Sequence, residues 1–257
     1  MENRITGLFK RKDKNIVSIY FTAGYPQLTD TAKIITELEK SGVDLIEIGI
    51  PFSDPVADGP VIQHSSEIAL QNGMTINLLF DQLKDIRRKV SIPLILMGYL
   101  NPVMQYGIEN FCIKCRETGI DGTIIPDLPL EIYEAEYKEV FDRNSLSNIF
   151  LITPQTSEER IRKIEAVSTG FIYMVSSSST TGVKGAVNKE QESYFERIQM
   201  MNLHAKRLIG FGISDKASFE KASEYANGAI IGSAFVKALA EEGTIEHKIK
   251  NFMQVFS

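Results

Sequence analysis

Eight short hydrophobic runs recur along the chain, and each is apolar on both faces. They lie at residues 16–21, 45–50, 94–99, 123–126, 149–153, 171–176, 208–212 and 229–232. A strand that is covered on both sides, as in a parallel sheet, shows this continuous apolar pattern instead of strict alternation. The pattern therefore predicts eight buried parallel strands.

Between these runs lie segments whose apolar residues recur at helical spacing. In residues 31–40, for example, Ile34, Ile35 and Leu38 fall on one stripe. Further helices are predicted at 77–89, 108–117, 131–141, 157–167, 190–201, 216–225 and 234–256. Strand and helix thus alternate along the whole chain, as they do in a (β/α)8 barrel of about 250 residues.

The predicted fold class is α/β, a single (β/α)8 TIM barrel. We expect residues 1–257 to form one domain, because no linker rich in Pro, Gly or Ser divides the chain. Residues 1–9 precede the first strand and are expected to form a short extra N-terminal helix at the bottom of the barrel. The alternative is a doubly wound open sheet. Eight strands, and the lack of a long glycine fingerprint after the first of them, favour the barrel.

Composition narrows the class of protein. The 28 Lys and Arg residues and the 33 Asp and Glu residues leave a net charge of −5, which disfavours binding to nucleic acid. A hydrophobic content of 43% is too high for disorder. The first residues do not resemble a secretory signal, and the charge-free stretches at 90–108 and 166–183 are too polar to span a membrane. We therefore expect a cytoplasmic globular protein with no nucleic-acid or membrane partner.

The two cysteines, Cys112 and Cys115, form a C-x-x-C pair that could suggest metal or redox chemistry. There is no second pair, and the three histidines are scattered along the chain. The spacing instead predicts two small buried thiols on one helix face. No cluster of residues at metal-ligand spacing is present, so no metal site is predicted.

One carboxylate stands out within the predicted barrel. Glu47 lies inside the second strand, where an ionised carboxylate costs several kcal/mol unless it is paired or catalytic. Its alternation partners Leu45 and Gly49 point the same way, and Gly49 leaves space above it. Two interpretations remain open. Glu47 is either half of a structural ion pair with a lysine or arginine, or a general acid/base whose pKa is raised by partial desolvation.

Two further residues have alternative interpretations. The loop at 51–60 holds Asp54 and Asp58 among three prolines and a glycine. Asp54 is predicted to form a turn, whereas Asp58-Gly59 fits either a simple turn or a functional carboxylate. Tyr173 lies in the sixth predicted strand, and it either packs with its hydroxyl satisfied or faces the pocket.

Glycine-bearing loops follow the last three predicted strands, at 181–182, 210–214 and 232–233. Phosphate groups in barrels are often held after the seventh and eighth strands, at a helix N-terminus. Backbone N–H groups approach an anion closely only where no Cβ intrudes. Each glycine also fits an ordinary turn, but their place in the barrel favours a phosphorylated small-molecule ligand.

These residues match a known family along essentially the whole chain. The motifs that carry the resemblance are LIEIGIPFSDPVADGP at 45–60, GTIIPDLP at 122–129, GFGIS at 210–214 and Gly-Ser at 232–233. The chain closely resembles the tryptophan synthase α subunit family. The resemblance implies a (β/α)8 barrel that cleaves indole-3-glycerol phosphate to indole and glyceraldehyde 3-phosphate in L-tryptophan biosynthesis.

The resemblance also assigns roles to residues and implies a partner. Glu47 matches the family's general acid/base, and Asp58 matches its second catalytic carboxylate. Residues that match substrate-binding positions are Tyr173, Phe21, Tyr99, Thr181, Gly182, Phe211, Gly212, Gly232 and Ser233. The family docks on a β subunit, with an α2β2 heterotetramer expected. Pyridoxal phosphate is expected on the β partner and no cofactor on this chain.

The loop after the sixth strand departs from the family pattern. The family commonly has a basic residue and a glycine there, whereas residues 176–180 read SSSST before Thr181 and Gly182. This departure motivates an alternative, a stand-alone lyase that releases free indole. A catalytically silent phosphate-binding scaffold fits less well, because the acid/base residues are present. A metal-dependent sugar-phosphate epimerase lacks its expected ligands.

Overall fold

A computed structural model describes residues 3–176, 189–210 and 212–256 of the chain. Their strands are all joined in parallel within one sheet. The strands are β1 Ile16–Thr22, β2 Leu45–Gly49, β3 Leu94–Met97, β4 Gly122–Ile124, β5 Ser147–Ile149, β6 Leu151–Ile152, β7 Phe171–Val175, β8 Lys206–Gly210 and β9 Gly228–Ile231. Seven of the eight predicted runs correspond to one strand each, and the fifth corresponds to β5 and β6 together.

The sheet closes on itself through the interrupted fifth strand. Its order is β5-β4-β3-β2-β1-β9-β8-β7-β6, so β5 and β6 are the two ends. Only Phe150 separates them along the chain, and its carbonyl accepts a hydrogen bond from the Tyr173 N–H at 2.9 Å. One half of this strand therefore pairs with β4 and the other half with β7. The ring of strands is the predicted eight-stranded barrel, with strand five divided in two.

Helices lie between most successive strands, with one more before the first strand and two after the last. They are α1 Arg4–Arg11, α2 Thr31–Lys40, α3 Pro60–Gln71, α4 Ile76–Leu83, α5 Leu100–Tyr106, α6 Ile108–Thr118, α7 Leu130–Ile132, α8 Lys138–Arg143, α9 Glu158–Val167, α10 Lys189–Met200, α11 Lys216–Tyr225, α12 Ser233–Leu239 and α13 Ile245–Gln254, with a 3-10 turn at Ile86–Arg88 and a π-helical turn at Tyr133–Tyr137. The segment predicted as one helix at 234–256 is two helices, α12 and α13. The two cysteines lie buried and unbonded on α6, as their spacing predicted.

The sequence pattern did not reveal α3 and α5. The buried face of α3 consists of Ile62, Ser65, Ser66 and Ala69, so it carries little of the apolar stripe by which a helix is recognised. Pro60 occupies its first turn, where the missing N–H costs nothing. Both helices follow directly on loops at the carboxyl ends of strands, and both therefore border the candidate site.

The N-terminal helix α1 fills the lower end of the barrel, as the sequence predicted. Its buried side chains Ile5, Leu8 and Phe9 join the inward-facing apolar residues of the strands. Asn3 caps the helix by accepting from the N–H groups of its first turn, and its amide donates to Ser147 Oγ at 3.0 Å. The helix is thus anchored to β5 from inside the ring.

Candidate active site

Glu47 lies in the middle of β2 and is fully buried inside the barrel. Its Oε1 accepts a hydrogen bond from the Ser18 hydroxyl of β1 at 2.9 Å, whereas Oε2 has no partner in the described part of the chain. Burial raises the pKa of Glu47 from 4.5 to about 8, and the bond from Ser18 opposes that rise. No ion pair among the described residues includes Glu47, so its carboxyl is available for proton transfer.

Asp58 lies in the loop between β2 and α3, where its side chain is partly buried. Its Oδ2 accepts a hydrogen bond from the Tyr99 hydroxyl at 2.9 Å, and the same hydroxyl accepts from the Ala57 N–H at 3.0 Å. Burial raises the pKa of Asp58, and the bond from Tyr99 opposes this. The Asp58 N–H also closes a turn onto the Pro55 carbonyl at 3.0 Å. Asp58 is therefore both a turn residue and a carboxylate held in place by Tyr99.

A pocket opens at the carboxyl ends of β1 to β4, where the sequence analysis places an active site. Asp58 and Tyr99 line it, and the ring of Phe52 packs 5.1 Å from that of Tyr99, measured between centroids. The full lining is Tyr20, Ile50, Phe52, Pro55, Asp58, Ser66, Met97, Gly98, Tyr99 and Pro126. The lining combines flat apolar side chains with one carboxylate.

Two tyrosines cross the barrel interior over glycines of the neighbouring strands. A Cβ at Gly49 would lie 2.2 Å from the Tyr20 hydroxyl, and a Cβ at Gly210 would lie 2.1 Å from the Tyr173 hydroxyl. Any side chain at either glycine would therefore displace a phenol. The space that Gly49 was expected to leave above Glu47 is thus filled by the ring of Tyr20. Burial, and then Glu47 and Asp58, raise the pKa of Tyr173, which places this phenol near both carboxyls.

The structure does not bring Phe21 to the pocket. Successive side chains of a strand point to opposite faces, and Tyr20 occupies the pocket. Phe21 therefore points to the opposite face of β1, where it is fully buried. The position matched from the resemblance is one residue away from the residue of β1 that lines the pocket.

The structure describes some of the residues predicted to bind phosphate in the glycine-bearing loops. Gly212 follows β8 with φ of +80°, a backbone conformation that favours glycine, and Gly232 and Ser233 begin α12 directly after β9. A Cβ on Gly232 would lie 3.7 Å from Tyr20, so this loop borders the pocket residue of β1. The remaining predicted ligand-binding residues, Thr181, Gly182 and Phe211, lie outside the described residues.

The sequence analysis missed Ser18 and Tyr20. Together with Thr22 they form the polar, every-second-residue face of β1, and all three are buried. That alternation is visible in the sequence IVSIYFT. It was hidden by the apolar residues on the other face, which made the run look uniformly hydrophobic.

The described residues form neither a metal site nor a membrane-spanning helix. No group of three or more His, Cys, Asp or Glu side chains there is arranged to hold a metal ion. Among the same residues, no helix combines the length and the apolar character needed to cross a bilayer.

Comparisons with known proteins agree with the geometry. The family model described as tryptophan synthase alpha chain matches residues 7–256. The tryptophan synthase alpha chain of Flavobacterium johnsoniae is 61% identical over 251 residues, covering 98% of each chain, and that of Flavobacterium psychrophilum is 63% identical over 233 residues, covering 91% of this chain and 92% of the relative.

Solved structures show the same architecture. The tryptophan synthase alpha chain of Legionella pneumophila superposes with a TM-score of 0.88 at 31% identity, covering 100% of this chain and 96% of that one. A chain of tryptophan synthase from M. tuberculosis, in its aminoacrylate-bound form, gives 0.86 at 26% identity, covering 99% and 98%. The chain therefore belongs to the tryptophan synthase alpha chain family of lyases, whose reaction is the cleavage of indole-3-glycerol phosphate.

Proposed function

We propose that Glu47 transfers the protons in the cleavage of indole-3-glycerol phosphate, and that Asp58 stabilises the charge that develops on the indole ring. The observation that carries this proposal is the carboxyl of Glu47, fully buried with Oε2 unpartnered among the described residues. A buried acid with a pKa of about 8 is populated in both protonation states near neutral pH.

The proton balance of the reaction needs only one such group. The acid form of Glu47 gives its proton to C3 of the indole ring. The bond from C3 to the carbinol carbon then breaks, and its electron pair returns to the ring and restores its aromaticity. The carboxylate takes the proton from the carbinol hydroxyl as the aldehyde forms, which regenerates the acid. Glyceraldehyde 3-phosphate and indole are the two products.

Asp58 is proposed to act at the nitrogen of the indole ring, whereas Glu47 acts at C3. Protonation of C3 places positive charge on the indole nitrogen, and an ionised carboxylate near that N–H favours the charged state. The bond from Tyr99 holds Asp58 at the pocket wall and favours its charged form. The apolar residues Phe52, Met97 and Pro126 would pack against the faces of the ring.

The phosphate would be bound at the loops after β8 and β9, by Gly212, Gly232 and Ser233. Supporting this, Gly232 borders Tyr20 at the pocket, and Gly212 has the positive φ that presents backbone N–H groups without a Cβ. Thr181, Gly182 and Phe211 are proposed for the same role from the sequence alone. Anchoring the phosphate would fix the reacting carbon beside Glu47.

A tryptophan synthase β subunit is the proposed partner, in an α2β2 heterotetramer, with pyridoxal phosphate on the β chain and no cofactor on this one. Supporting this, three exposed apolar side chains, Val56, Met104 and Ile132, follow β2, β3 and β4 on the rim that surrounds the pocket.

We expect Val56→Glu to weaken binding to a β chain by at least tenfold in a titration. If no complex forms with the unaltered chain, indole is released free and the partner proposal fails.

The role of Glu47 is tested by Glu47→Gln, which keeps the shape of the side chain and removes its titration. We expect indole release from indole-3-glycerol phosphate to fall by about 10²-fold to 10⁴-fold, with the circular dichroism spectrum unchanged. Glu67→Gln on the exposed side of α3 is the matched control and should remain fully active. Near-normal turnover by Glu47→Gln would refute the assignment.

Asp58→Asn tests the second carboxylate separately. The amide still accepts the bond from Tyr99, so the loop should keep its conformation, but the negative charge is lost. We expect kcat to fall by about 10²-fold or more, comparable to the loss of one preorganised electrostatic contact in other active sites. Steady-state turnover equal to that of the unaltered chain would exclude this role for Asp58.

A further inference from the structure

Ser18 is in direct contact with the proposed acid/base, and nothing in the sequence motifs marks it. It lies on β1, fully buried, and donates its only hydroxyl proton to Glu47 Oε1 at 2.9 Å. The other carboxyl oxygen, Oε2, is buried without a partner in the described part of the chain. The two oxygens of Glu47 are therefore not equivalent.

This asymmetry decides which oxygen carries the proton when Glu47 is neutral. In a carboxylic acid the carbonyl oxygen is the better hydrogen-bond acceptor, and the hydroxyl oxygen is the donor. The donor from Ser18 favours Oε1 as the carbonyl oxygen. The acidic proton then lies on Oε2, the oxygen that has no hydrogen-bond partner among the described residues.

We propose that Ser18 is a positioning residue for the cleavage reaction, because its hydrogen bond fixes the Glu47 carboxyl and makes Oε2 the oxygen that delivers and recovers the proton. The inference rests on the proposed role of Glu47. Ser18 itself does not exchange a proton with substrate. It holds one rotamer of the acid, which would otherwise have no hydrogen bond from the described protein on either oxygen.

Other titratable groups lie near Glu47, and a pH experiment must separate their titration from that of its carboxyl. Tyr20 on β1 and Tyr173 on β7 both interact with it electrostatically, and burial raises the pKa of each, so both stay neutral across the working range. Asp58, in the loop after β2, interacts electrostatically with the same two tyrosines. On the β3 side the partner of Glu47 in the sheet is Ile95, which carries no charge. Ser18 is thus the side chain that hydrogen-bonds Glu47 among the described residues.

The experiment compares Ser18→Ala with the isosteric pair Ser18→Val and Ser18→Thr, of which only Thr keeps the hydroxyl. Indole formation is measured from pH 6 to pH 10, an interval spanning the pKa of about 8, with the full chain alone and with a β chain. Loss of the donor removes an interaction that favours the carboxylate. Hydrogen bonds to charged groups shift ionisation by about tenfold or more, so the alkaline decline should move up by about one pH unit in Ala and Val.

We expect kcat to fall about tenfold in Ser18→Ala and Ser18→Val with KM changed less than twofold, and Ser18→Thr to recover the pH profile. Infrared titration of the Glu47 carboxyl, identified by its loss in Glu47→Gln, should show the same shift without substrate. Thr123→Val on β4 removes another buried strand hydroxyl, bonded to Asn148, and should leave the pH profile in place.

Two results would overturn the proposal. The first is a pH profile and infrared titration in Ser18→Ala that match those of the unaltered chain. The second is equal impairment of the Thr and Val variants, which would make packing, and not the hydroxyl, the cause. If Glu47→Gln is inactive while the Ser18 variants are normal, only the role of Ser18 fails. If Glu47→Gln is active, the proposed role of Glu47 fails as well.

Discussion

The hydroxyl of Tyr99 is shared between the backbone and a carboxylate. It accepts from the Ala57 N–H and donates to Asp58 Oδ2, so one side chain of the loop after β3 fixes the loop after β2. The hydrogen bond from Tyr99 therefore both positions Asp58 and favours its ionised form. Removing the hydroxyl should change both.

We expect Tyr99→Phe to lower kcat/KM by about tenfold, because a hydrogen bond to a charged group is lost. The bond from Tyr99 lowers the pKa of Asp58 against the effect of burial. Without it that pKa rises, and the ionised form that the proposed role of Asp58 requires is lost at a higher pH. The acid limb of the kcat/KM profile should therefore move upward, and an unmoved acid limb would contradict this.

At this scale the sequence predicted Glu47, Asp58 and Tyr99 as site residues but did not point to Ser18 or Tyr20. Glu47 stands out because a charged residue in an apolar run has few structural explanations, whereas Asp58 was assigned a role by the resemblance and not by its loop alone. Ser18 and Tyr20 contribute to the same site through contacts between neighbouring strands, with Tyr20 opposite Glu47 in the register. Register is a property of paired strands, so one strand read alone does not contain it. Phe21 was predicted from the resemblance, whereas Tyr20 is the residue of β1 that lines the pocket.

Among the elements, β2 and β8 each carry a glycine that makes room for a tyrosine of the adjacent strand. The two arrangements are alike, since Thr22 pairs with Gly49 and Val175 with Gly210, two residues beyond each tyrosine. The glycines are needed for this close approach and not for an unusual turn.

We expect Gly49→Ala to inactivate the enzyme with a loss of stability of about 1–3 kcal/mol, because an added methyl group overpacks the site and displaces Tyr20. Ala69→Gly, on the buried face of α3, serves as a control that also costs stability but leaves the barrel interior unchanged. Denaturation and indole release together distinguish the two effects. A fully active Gly49→Ala variant would show that Tyr20 is not required where it lies.

The elements that the sequence revealed are those with a strong apolar period. Two helices, α2 and α11, have the predicted bounds, Thr31–Lys40 and Lys216–Tyr225. Helix α3 was missed because small and polar side chains form much of its buried face. The division of the fifth strand at Phe150 reflects closure of the ring, which no local pattern specifies.

For the whole molecule, Glu47 lowers stability at high pH. Its pKa is 4.5 when exposed and about 8 in the fold. Between these values the unfolded chain releases a proton that the folded chain retains, so the free energy of unfolding falls as pH rises. Below pH 4.5 Glu47 is protonated in both the folded and the unfolded chain, so it no longer lowers the free energy of unfolding.

Glu47→Gln should therefore become more stable than the unaltered chain as pH rises from 5 to 8, the interval between those two pKa values. Each unit of pKa corresponds to about 1.4 kcal/mol, so a gain of a few kcal/mol is expected at the upper end. Urea denaturation at several pH values measures it. Glu241→Gln, at an exposed carboxylate, should show no such growing difference. A constant difference for Glu47→Gln would mean that the carboxyl is not destabilised by burial.

Helix α1 closes the lower end of the barrel. Its side chains Ile5, Leu8 and Phe9 fill the base, where the ring of Phe9 lies 6.0 Å from that of Phe171 between centroids. Indole released inside the barrel cannot leave through this packed end. Among the described residues the pocket lies at the opposite end, at the carboxyl ends of the strands, so whatever covers that end controls whether indole escapes to water.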